Sequence, residues 1–180
     1  MTFSDAIRTC FSKFFTFSGR ASRPEYWFFF LFIMIWSLIA GFIDLKFFTQ
    51  VATTETETTR SVAATSSQPV QSIVSLIVFF PHLAVAWRRM HDTGRSGLYA
   101  LFPLLLMAGA AAVLVFGIGM ASSFQHGGNL DILFTRATLL IVIPTLLILM
   151  ISPLLVLWWL TRPSQPGTNK YGPNPYEVTQ

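Results

Sequence analysis

The polar residues of this chain that suit chemistry are concentrated in three short segments. Segment one reads Phe-Ser-Gly-Arg-Ala-Ser-Arg-Pro-Glu-Tyr-Trp over residues 17–27, and segment two reads Arg-Arg-Met-His-Asp-Thr-Gly-Arg-Ser-Gly over residues 88–97. Segment three reads Asn-Lys-Tyr-Gly-Pro-Asn-Pro over residues 169–175. Together they contain the candidate ligand- or phosphate-binding residues, which are Arg20, Arg23, Glu25, Arg88, Arg89, His91, Asp92, Arg95, Asn169 and Tyr171.

The arginines of these segments suit a phosphate group, because the planar guanidinium binds two phosphate oxygens at once. Two alternatives use the same residues without a ligand. The arginines could serve only to orient a membrane protein, although orientation does not explain the acidic residues among them. They could also form a structural ion-pair network, in which Glu25 or Asp92 binds Arg88 or Arg95. Arg88 and Asp92 are four residues apart and would pair on a continuous helix.

Catalysis is a further alternative that rests on His91 and Asp92. A serine nucleophile such as Ser22 or Ser96 would have to meet His91, with a third group orienting the imidazole. No nucleophile elbow surrounds either serine. The sequence therefore favours a protein that is not an enzyme, and we predict no catalytic residues.

The composition predicts neither a metal nor a cofactor. The single cysteine, Cys10, has no metal-site spacing around it, and the three histidines are His82, His91 and His126. His126 stands beside two glycines, which is typical of a turn. His82 follows Pro81 within an apolar stretch, and an ionisable residue at that depth is a possible intramembrane polar site. A small proton-coupled transporter is therefore an alternative function.

The elements that carry these residues are predicted to be membrane helices. Hydrophobic residues make up 53% of the chain and charged residues only 11%, against about 25% charged in soluble domains. A span needs about 20 apolar residues, and four segments meet this requirement. The sequence thus predicts an all-α, four-helix transmembrane bundle that forms one domain over residues 1–180, with its spans at 27–48, 70–87, 98–121 and 137–160.

Helical spacing of Phe3, Ile7, Phe11 and Phe14, with charges on the other face, predicts an amphipathic helix over residues 3–17. We expect it to lie in the membrane interface. Residues 162–180 form a tail. Its Asn169–Pro175 stretch is expected to be an ordered turn or an extended strip packed under the bundle, because proline and glycine oppose helix there.

The distribution of lysine and arginine predicts the orientation. Nine of the 12 basic residues flank the spans on one side, which we expect to be cytoplasmic, and both termini lie on that side. The protein is then a multi-pass membrane protein. The net charge of +4 is explained by this orientation rather than by nucleic-acid binding.

On the other side of the membrane, residues 49–69 are rich in Thr and Ser, and we expect a mobile loop there. Asp44 is expected to meet water at the outer end of the first span. Similar residue patterns precede spans one and three, Gly19-Arg20-Ala21-Ser22 and Gly94-Arg95-Ser96-Gly97, and both spans two and four end in Pro and Trp. A duplicated helical hairpin is a possible origin.

The three segments resemble the bacterial inner-membrane family called domain of unknown function 805. The likeness comprises the Phe-x-Gly-Arg-x-x-Arg-x-Glu-Tyr-Trp pattern, the Arg-Arg-x-His-Asp-x-Gly-x-Ser-Gly pattern and the final Asn-x-Tyr-Gly-x-x-Pro pattern. One departure is Leu98-Tyr99, where Trp commonly follows Ser-Gly. The resemblance implies the class of protein and its compartment, and it implies no reaction.

From these residues we expect a membrane protein of uncharacterised function that binds an anionic lipid head group or a partner protein at its Arg-rich cytoplasmic face, with a role in envelope upkeep. The alternatives are a small transporter and a membrane enzyme acting on a lipid phosphate. The expected partners are membrane lipids, another membrane protein or a second copy of the chain. Small residues at spacing of four, such as Ser37 and Gly41, suit close helix contact in either case.

Overall fold

The computed structural model of the chain describes residues 1–56, 59–124 and 131–177. Its regular secondary structure within these residues is helical apart from one β-hairpin. The helices are α1 (Phe3–Ser12), α2 (Arg23–Phe47), α3 (Pro69–Asp92), α4 (Phe102–Phe124) and α5 (Asp131–Thr161), and the strands are β1 (Thr49–Thr56) and β2 (Thr59–Ser66). A short 3-10 helix, Gly97–Leu101, leads into α4.

Three helical stretches within the described residues are long and apolar enough to cross a membrane, namely Arg23–Phe47, Pro69–Asp92 and Val142–Thr161. They overlap the predicted spans 27–48, 70–87 and 137–160, although the first stretch ends at Phe47 and the third begins at Val142. The predicted span 98–121 is also α-helical from Phe102 onward, because its first residues form the 3-10 helix instead. That all four helices cross the membrane as one bundle stays a prediction.

Local signals in the sequence explain where the helices begin. The Ser22 hydroxyl accepts a hydrogen bond from the Glu25 N–H at 3.4 Å and so caps α2, with Pro24 in the first turn where no donor is needed. Thr2 caps α1 and forms a reciprocal capping box with Asp5. Helix α1 ends at Ser12, so the predicted helix over 3–17 is shorter than expected.

The expectation of an irregular loop over residues 49–69 is wrong, whereas its mobility stays a prediction. Strands β1 and β2 pair in antiparallel fashion, with Thr49 opposite Ser66 and Thr56 opposite Thr59. Threonine is β-branched and favours strands even where the sequence has too few apolar groups for a core. The loop was predicted from the polarity of these residues, without their preference for the strand conformation. His126 and its neighbouring glycines fall outside the described residues.

The helices associate as two hairpins, α2 with α3 and α4 with α5. The buried core lies at one end of these hairpins, where the three polar segments also lie, and we call this the motif end. The opposite end lies beside the β-hairpin formed by β1 and β2, and we call it the hairpin end. The core consists of Cys10, Ala21, Tyr26, Phe29, Val85, Ala86, Met90, Val156 and Leu160.

Helix α1 packs against the motif end of α2. Phe11 makes edge-to-face contacts with Phe29 and Phe32, with ring centroids 5.6 and 6.0 Å apart. Ala6 and Cys10 are buried on the same side, while Arg8 and Lys13 are exposed. The helix is therefore two-sided in its packing, and its location in a membrane interface stays a prediction.

The two helical hairpins have similar residues and backbone conformation just before their first helices. Gly19 and Gly94 both have positive φ, of 85° and 77°, and each precedes a serine, Ser22 or Ser96, whose hydroxyl caps the next helical turn. Only glycine adopts this conformation readily. The likeness agrees with a duplicated hairpin, which stays a prediction.

Candidate functional site

Asp92, the last residue of α3, is the centre of a buried ion cluster at the motif end. Its Oδ1 accepts a hydrogen bond from Arg20 Nε at 2.9 Å, and its Oδ2 accepts from Arg89 Nη1 and from the Ser164 hydroxyl. The side chains of Arg20, Arg89 and Asp92 are at most 1% exposed. One carboxylate thus serves two guanidinium groups, so the remaining N–H donors must find other acceptors.

Those acceptors are main-chain carbonyls of the tail. Arg20 Nη1 donates to the Gly167 carbonyl at 2.7 Å, and Nη2 donates to the Gln165 carbonyl at 2.5 Å. The Gln165 N–H in turn donates to the Asp92 carbonyl at 2.9 Å. The tail is therefore bound to α3 and to the loop before α2 by hydrogen bonds that need no particular tail side chain.

Arg89 caps the C-terminal end of α5. Its Nε donates to the Leu160 carbonyl at 3.1 Å, and Nη2 donates to the Arg162 carbonyl. The last carbonyls of a helix have no partner within it, and α5 ends at Thr161. A buried arginine from α3 thus supplies these missing donors and joins the two helical hairpins.

Glu25 and Arg88 form a second buried pair, with Oε1 and Nη1 2.5 Å apart. The pairing of Glu25 with Arg88 was one of the predicted alternatives, whereas the predicted pairing of Arg88 with Asp92 is wrong. Successive residues on a helix are about 100° apart, so Arg88 faces α2 while Arg89 faces the tail. Asp92 is therefore paired with Arg89, three residues earlier.

Cys10 lies beside this second pair. Its thiol donates to the Glu25 carbonyl over 3.9 Å, and burial raises the pKa of Cys10 to about 12. The Nε and Nη2 atoms of Arg88 are buried without a hydrogen-bond partner among the described residues. Cys10 is thus held as a neutral thiol in the packed interior.

His91 joins segment two to segment three. Its ring stacks on Tyr171 with centroids 3.7 Å apart and planes 2° from parallel. Its Nδ1 is 3.1 Å from the Gly19 carbonyl, and its own carbonyl accepts from Asn169 Nδ2 at 3.0 Å. Asn169 and Gly172 exchange main-chain hydrogen bonds, which confirms the predicted turn in the tail.

The remaining arginines of the segments are only half-buried. Arg23 donates from Nε to the Arg162 carbonyl at 2.9 Å. The Arg95 guanidinium lies 5.2 Å from the ring centroid of Trp159, and Arg162 lies 4.7 Å from that of Trp158. Sequence reasoning did not select Arg162 as a site residue, although its position just after a Trp-Trp pair was a usable signal.

His82 lies apart from the ion cluster. It precedes Asp92 by ten residues, so it lies about 15 Å away along α3. Its ring stacks on Tyr26 with centroids 5.9 Å apart and is tilted on Phe30 at 6.2 Å. Its Nε2 is buried without a partner within the described part of the chain. The described ring contacts of His82 are therefore with aromatic side chains of α2.

Two structural residues were misread or missed. Asp44 is 1% exposed rather than in contact with water, and its oxygens accept the N–H groups of Val70 and Gln71 at 3.1 and 2.8 Å. It thereby caps α3 from a neighbouring helix. Gly97 lies against the Trp87 indole so closely that an added Cβ would overlap the ring. This contact explains why a glycine ends segment two.

The matching family model is described as "Protein of unknown function (DUF805)" and covers residues 14–173. The chain belongs to this family. The match includes segments one and two and most of segment three, which were the basis of the resemblance. No solved structure matches the chain.

Two relatives in Escherichia coli K12 have similar sequences. Inner membrane protein YhaH is 36% identical over 100 residues, which are 56% of this chain and 73% of that protein. Inner membrane protein YhaI is 37% identical over 115 residues, which are 63% of this chain and 84% of that protein. With the three apolar helices, this membership identifies the chain as an integral inner-membrane protein, as the sequence predicted.

Proposed function

We propose that this protein is a non-enzymatic four-span membrane protein whose motif end faces the cytoplasm and binds anionic phospholipid head groups. Arg95 and Arg162 would make the contact. The supporting observation is that each guanidinium lies over a tryptophan ring at the motif end of α5, at 5.2 and 4.7 Å. Envelope upkeep is the role we propose for such binding.

The depth of these residues supports a head-group contact. Trp side chains are enriched where the hydrocarbon meets the head groups, and Trp158 and Trp159 occupy the last turn of α5. Trp158 is 53% exposed and therefore available to lipid. An arginine stacked on such a ring uses the face of its guanidinium, while its N–H groups lie in the plane and can bind phosphate oxygens.

The buried cluster supports the same proposal in another way. Arg20 and Arg89 bond to Asp92 and to carbonyls of the chain itself, so their role would be to hold the loop and tail where Arg95 and Arg162 meet the lipid. The ligand site predicted over all three segments would then divide into a buried framework and an exposed contact.

Transport and catalysis are less well supported by the contacts. A proton path would need polar neighbours around His82, whose described ring contacts are Tyr26 and Phe30. A catalytic pair would need His91 and Asp92 to be available, but both carboxylate oxygens of Asp92 are bonded within the cluster. We therefore propose neither function.

Native mass spectrometry of protein exchanged into mixed phosphatidylglycerol and phosphatidylcholine tests the proposal. A hydrogen bond between charged groups contributes about 1.5–3 kcal/mol, so the double variant Arg95→Gln/Arg162→Gln should lower the preference for phosphatidylglycerol by about tenfold or more. The control is Lys46→Gln/Lys170→Gln, which changes the net charge equally. If both variants lost the preference for phosphatidylglycerol equally, net charge rather than a specific contact would explain it, and the assigned site would be overturned.

A further inference from the structure

A cleft at the hairpin end, far from the ion cluster, has the chemistry of a second lipid site. Its volume is about 580 Å³, and it lies between α2 and the beginning of α3. Pockets of about 300–1,000 Å³ with mostly apolar walls and a few polar groups are typical ligand sites. This cleft has apolar walls that include Met34 and Leu38, and polar groups from Ser37, Asp44 and Gln71.

The polar groups of the cleft offer mainly hydrogen-bond acceptors. The Asp44 carboxylate receives two main-chain N–H groups, and a carboxylate has about four acceptor positions, so two remain. Gln71 donates from Nε2 to the Ser75 hydroxyl at 3.4 Å, and its Oε1 is the acceptor of the same amide. That Oε1 is buried with no partner within the described part of the chain.

The charge of the cleft favours a cation. None of its described lining residues is basic, and Asp44 has no cationic partner among the described side chains. Lys46 is exposed and lies over the Phe47 ring, 5.6 Å from its centroid. A buried carboxylate with a partly satisfied set of acceptors is better stabilised when a cation with several N–H donors approaches it.

The shape of the cleft favours a lipid as the source of that cation. Ser37 precedes Asp44 by seven residues, so the polar strip extends about 10 Å along α2 from the hairpin end. Met34 and Leu38 beside it are 45% and 70% exposed. A ligand that fills this strip needs a donor-rich head and an apolar body.

We propose that the cleft binds the primary ammonium group of a phospholipid head group. The N–H donors of the ammonium would meet the Asp44 carboxylate and the Gln71 Oε1. The Ser37 hydroxyl, about 10 Å further along α2, would meet the ester oxygens of the same lipid, and the acyl chains would cover Met34 and Leu38. The site is independent of the proposed head-group contact at the motif end, since it uses other residues, the other end of the helices and the opposite ligand charge.

The test measures which lipid the purified full-length protein retains, with dioleoyl-phosphatidylethanolamine and dioleoyl-phosphatidylcholine in equal amounts. The two probes differ in that the choline head has no N–H donors. Hydrogen bonds to charged groups favour the ethanolamine lipid at least tenfold. A wild-type protein that retains the two lipids equally overturns the proposal.

Two variants locate the preference. Asp44→Asn keeps the shape but removes the charge, and it also weakens the cap of α3. Gly41→Leu leaves the Asp44 cap unchanged and adds a side chain to the cleft, because Gly41 lines the cleft and an added Cβ there would meet no atom within 4 Å. Gly109→Leu is the matched control, since Gly109 is equally open but lines a separate pocket of about 190 Å³ between α4 and α5.

The proposal requires that Gly41→Leu abolish the preference and that Gly109→Leu retain it. A preference that survives Gly41→Leu overturns the site. Adding excess glycerophosphoethanolamine then distinguishes the sources: displacement of the lipid shows that the ammonium head alone is recognised, and retention shows that the acyl chains are required as well. Phosphatidylglycerol retention at the motif end provides an independent check, because it should not change in Gly41→Leu.

Discussion

Arg20 Nε donates to Asp92 Oδ1 over 2.9 Å and thereby links the loop before α2 to the last residue of α3, 72 residues later in the chain. Arg89 binds the other carboxylate oxygen, and both arginines extend to carbonyls of the tail or of α5. A single carboxylate therefore organises the loop, both helical hairpins and the tail. Charged groups this deeply buried stabilise a structure only as a complete set.

Asp92→Asn should consequently be strongly destabilising. The substitution keeps the size of the side chain but leaves Arg20 and Arg89 buried without a counter-charge. Loss of one partner from a buried ion pair costs about 3–5 kcal/mol. The measurement is the free energy of unfolding in detergent micelles. Asp5→Asn is the control, because Asp5 is exposed and should have a smaller effect; similar losses in both variants would contradict the central role of Asp92.

A double-mutant cycle should reveal coupling between Glu25 and Arg88. Glu25→Leu alone leaves Arg88, 1% exposed, without its carboxylate, so it should destabilise more than the double variant Glu25→Leu/Arg88→Met. We expect a coupling energy of about 0.5–3 kcal/mol in unfolding measurements. Additive effects would mean that the two side chains do not stabilise each other.

The sequence was sufficient to predict helices at the expected spans and to select the residues that lie at the motif end. Apolar length and capping signals are local properties, so they can be read without a structure. The partner choices were not predictable, because whether Arg88 or Arg89 meets Asp92 depends on how α3 is rotated against α2. Asp44 shows the same limit: its role comes from N–H groups of Val70 and Gln71, 26 and 27 residues away.

Gly97→Ala should destabilise the turn into α4. The added methyl group would overlap the Trp87 indole. The indole has little room to move, because it also makes edge-to-face contacts with Phe17 and His91. Overpacking of this kind costs about 1–3 kcal/mol. Gly109→Ala is the matched control, because its Cβ would meet open space, and it should be neutral or stabilising. Rescue of Gly97→Ala by Trp87→Leu would establish that the clash is the cause.

Cys10 should be almost inert to alkylation in the folded protein. It is fully buried, and its pKa is raised from 9.0 to about 12. The thiolate is the reactive species, so at pH 8 its population is about 1,000-fold lower than in the unfolded chain. Raised pKa favours the neutral thiol, so reactivity should appear only on unfolding or at much higher pH. The control is Ser12→Cys in a Cys10→Ala background, which places the cysteine at an exposed position of the same helix and should react at the rate of an ordinary thiol. If wild-type Cys10 reacted as fast as this control, its buried position would be contradicted.

Tyr171→Ala should release the tail while leaving the helices folded. The parallel stack on His91, with centroids 3.7 Å apart, is an aromatic contact worth about 0.5–1.5 kcal/mol. Its loss should raise the open population of the tail about two- to tenfold. Cleavage by trypsin after Lys170, which is exposed beside the stack, reports that population when opening is fast.

Tyr171→Phe separates stacking from other effects of the substitution, because it keeps the ring and removes only the hydroxyl. We expect its cleavage rate to match that of the wild type, and the rate after Lys13, just beyond α1, to be the same in all three proteins. If Tyr171→Ala also cleaves at the wild-type rate, the hydrogen bonds of the tail hold it without the stacked ring. If Tyr171→Phe cleaves as fast as Tyr171→Ala, the hydroxyl rather than the stacked ring holds segment three against His91.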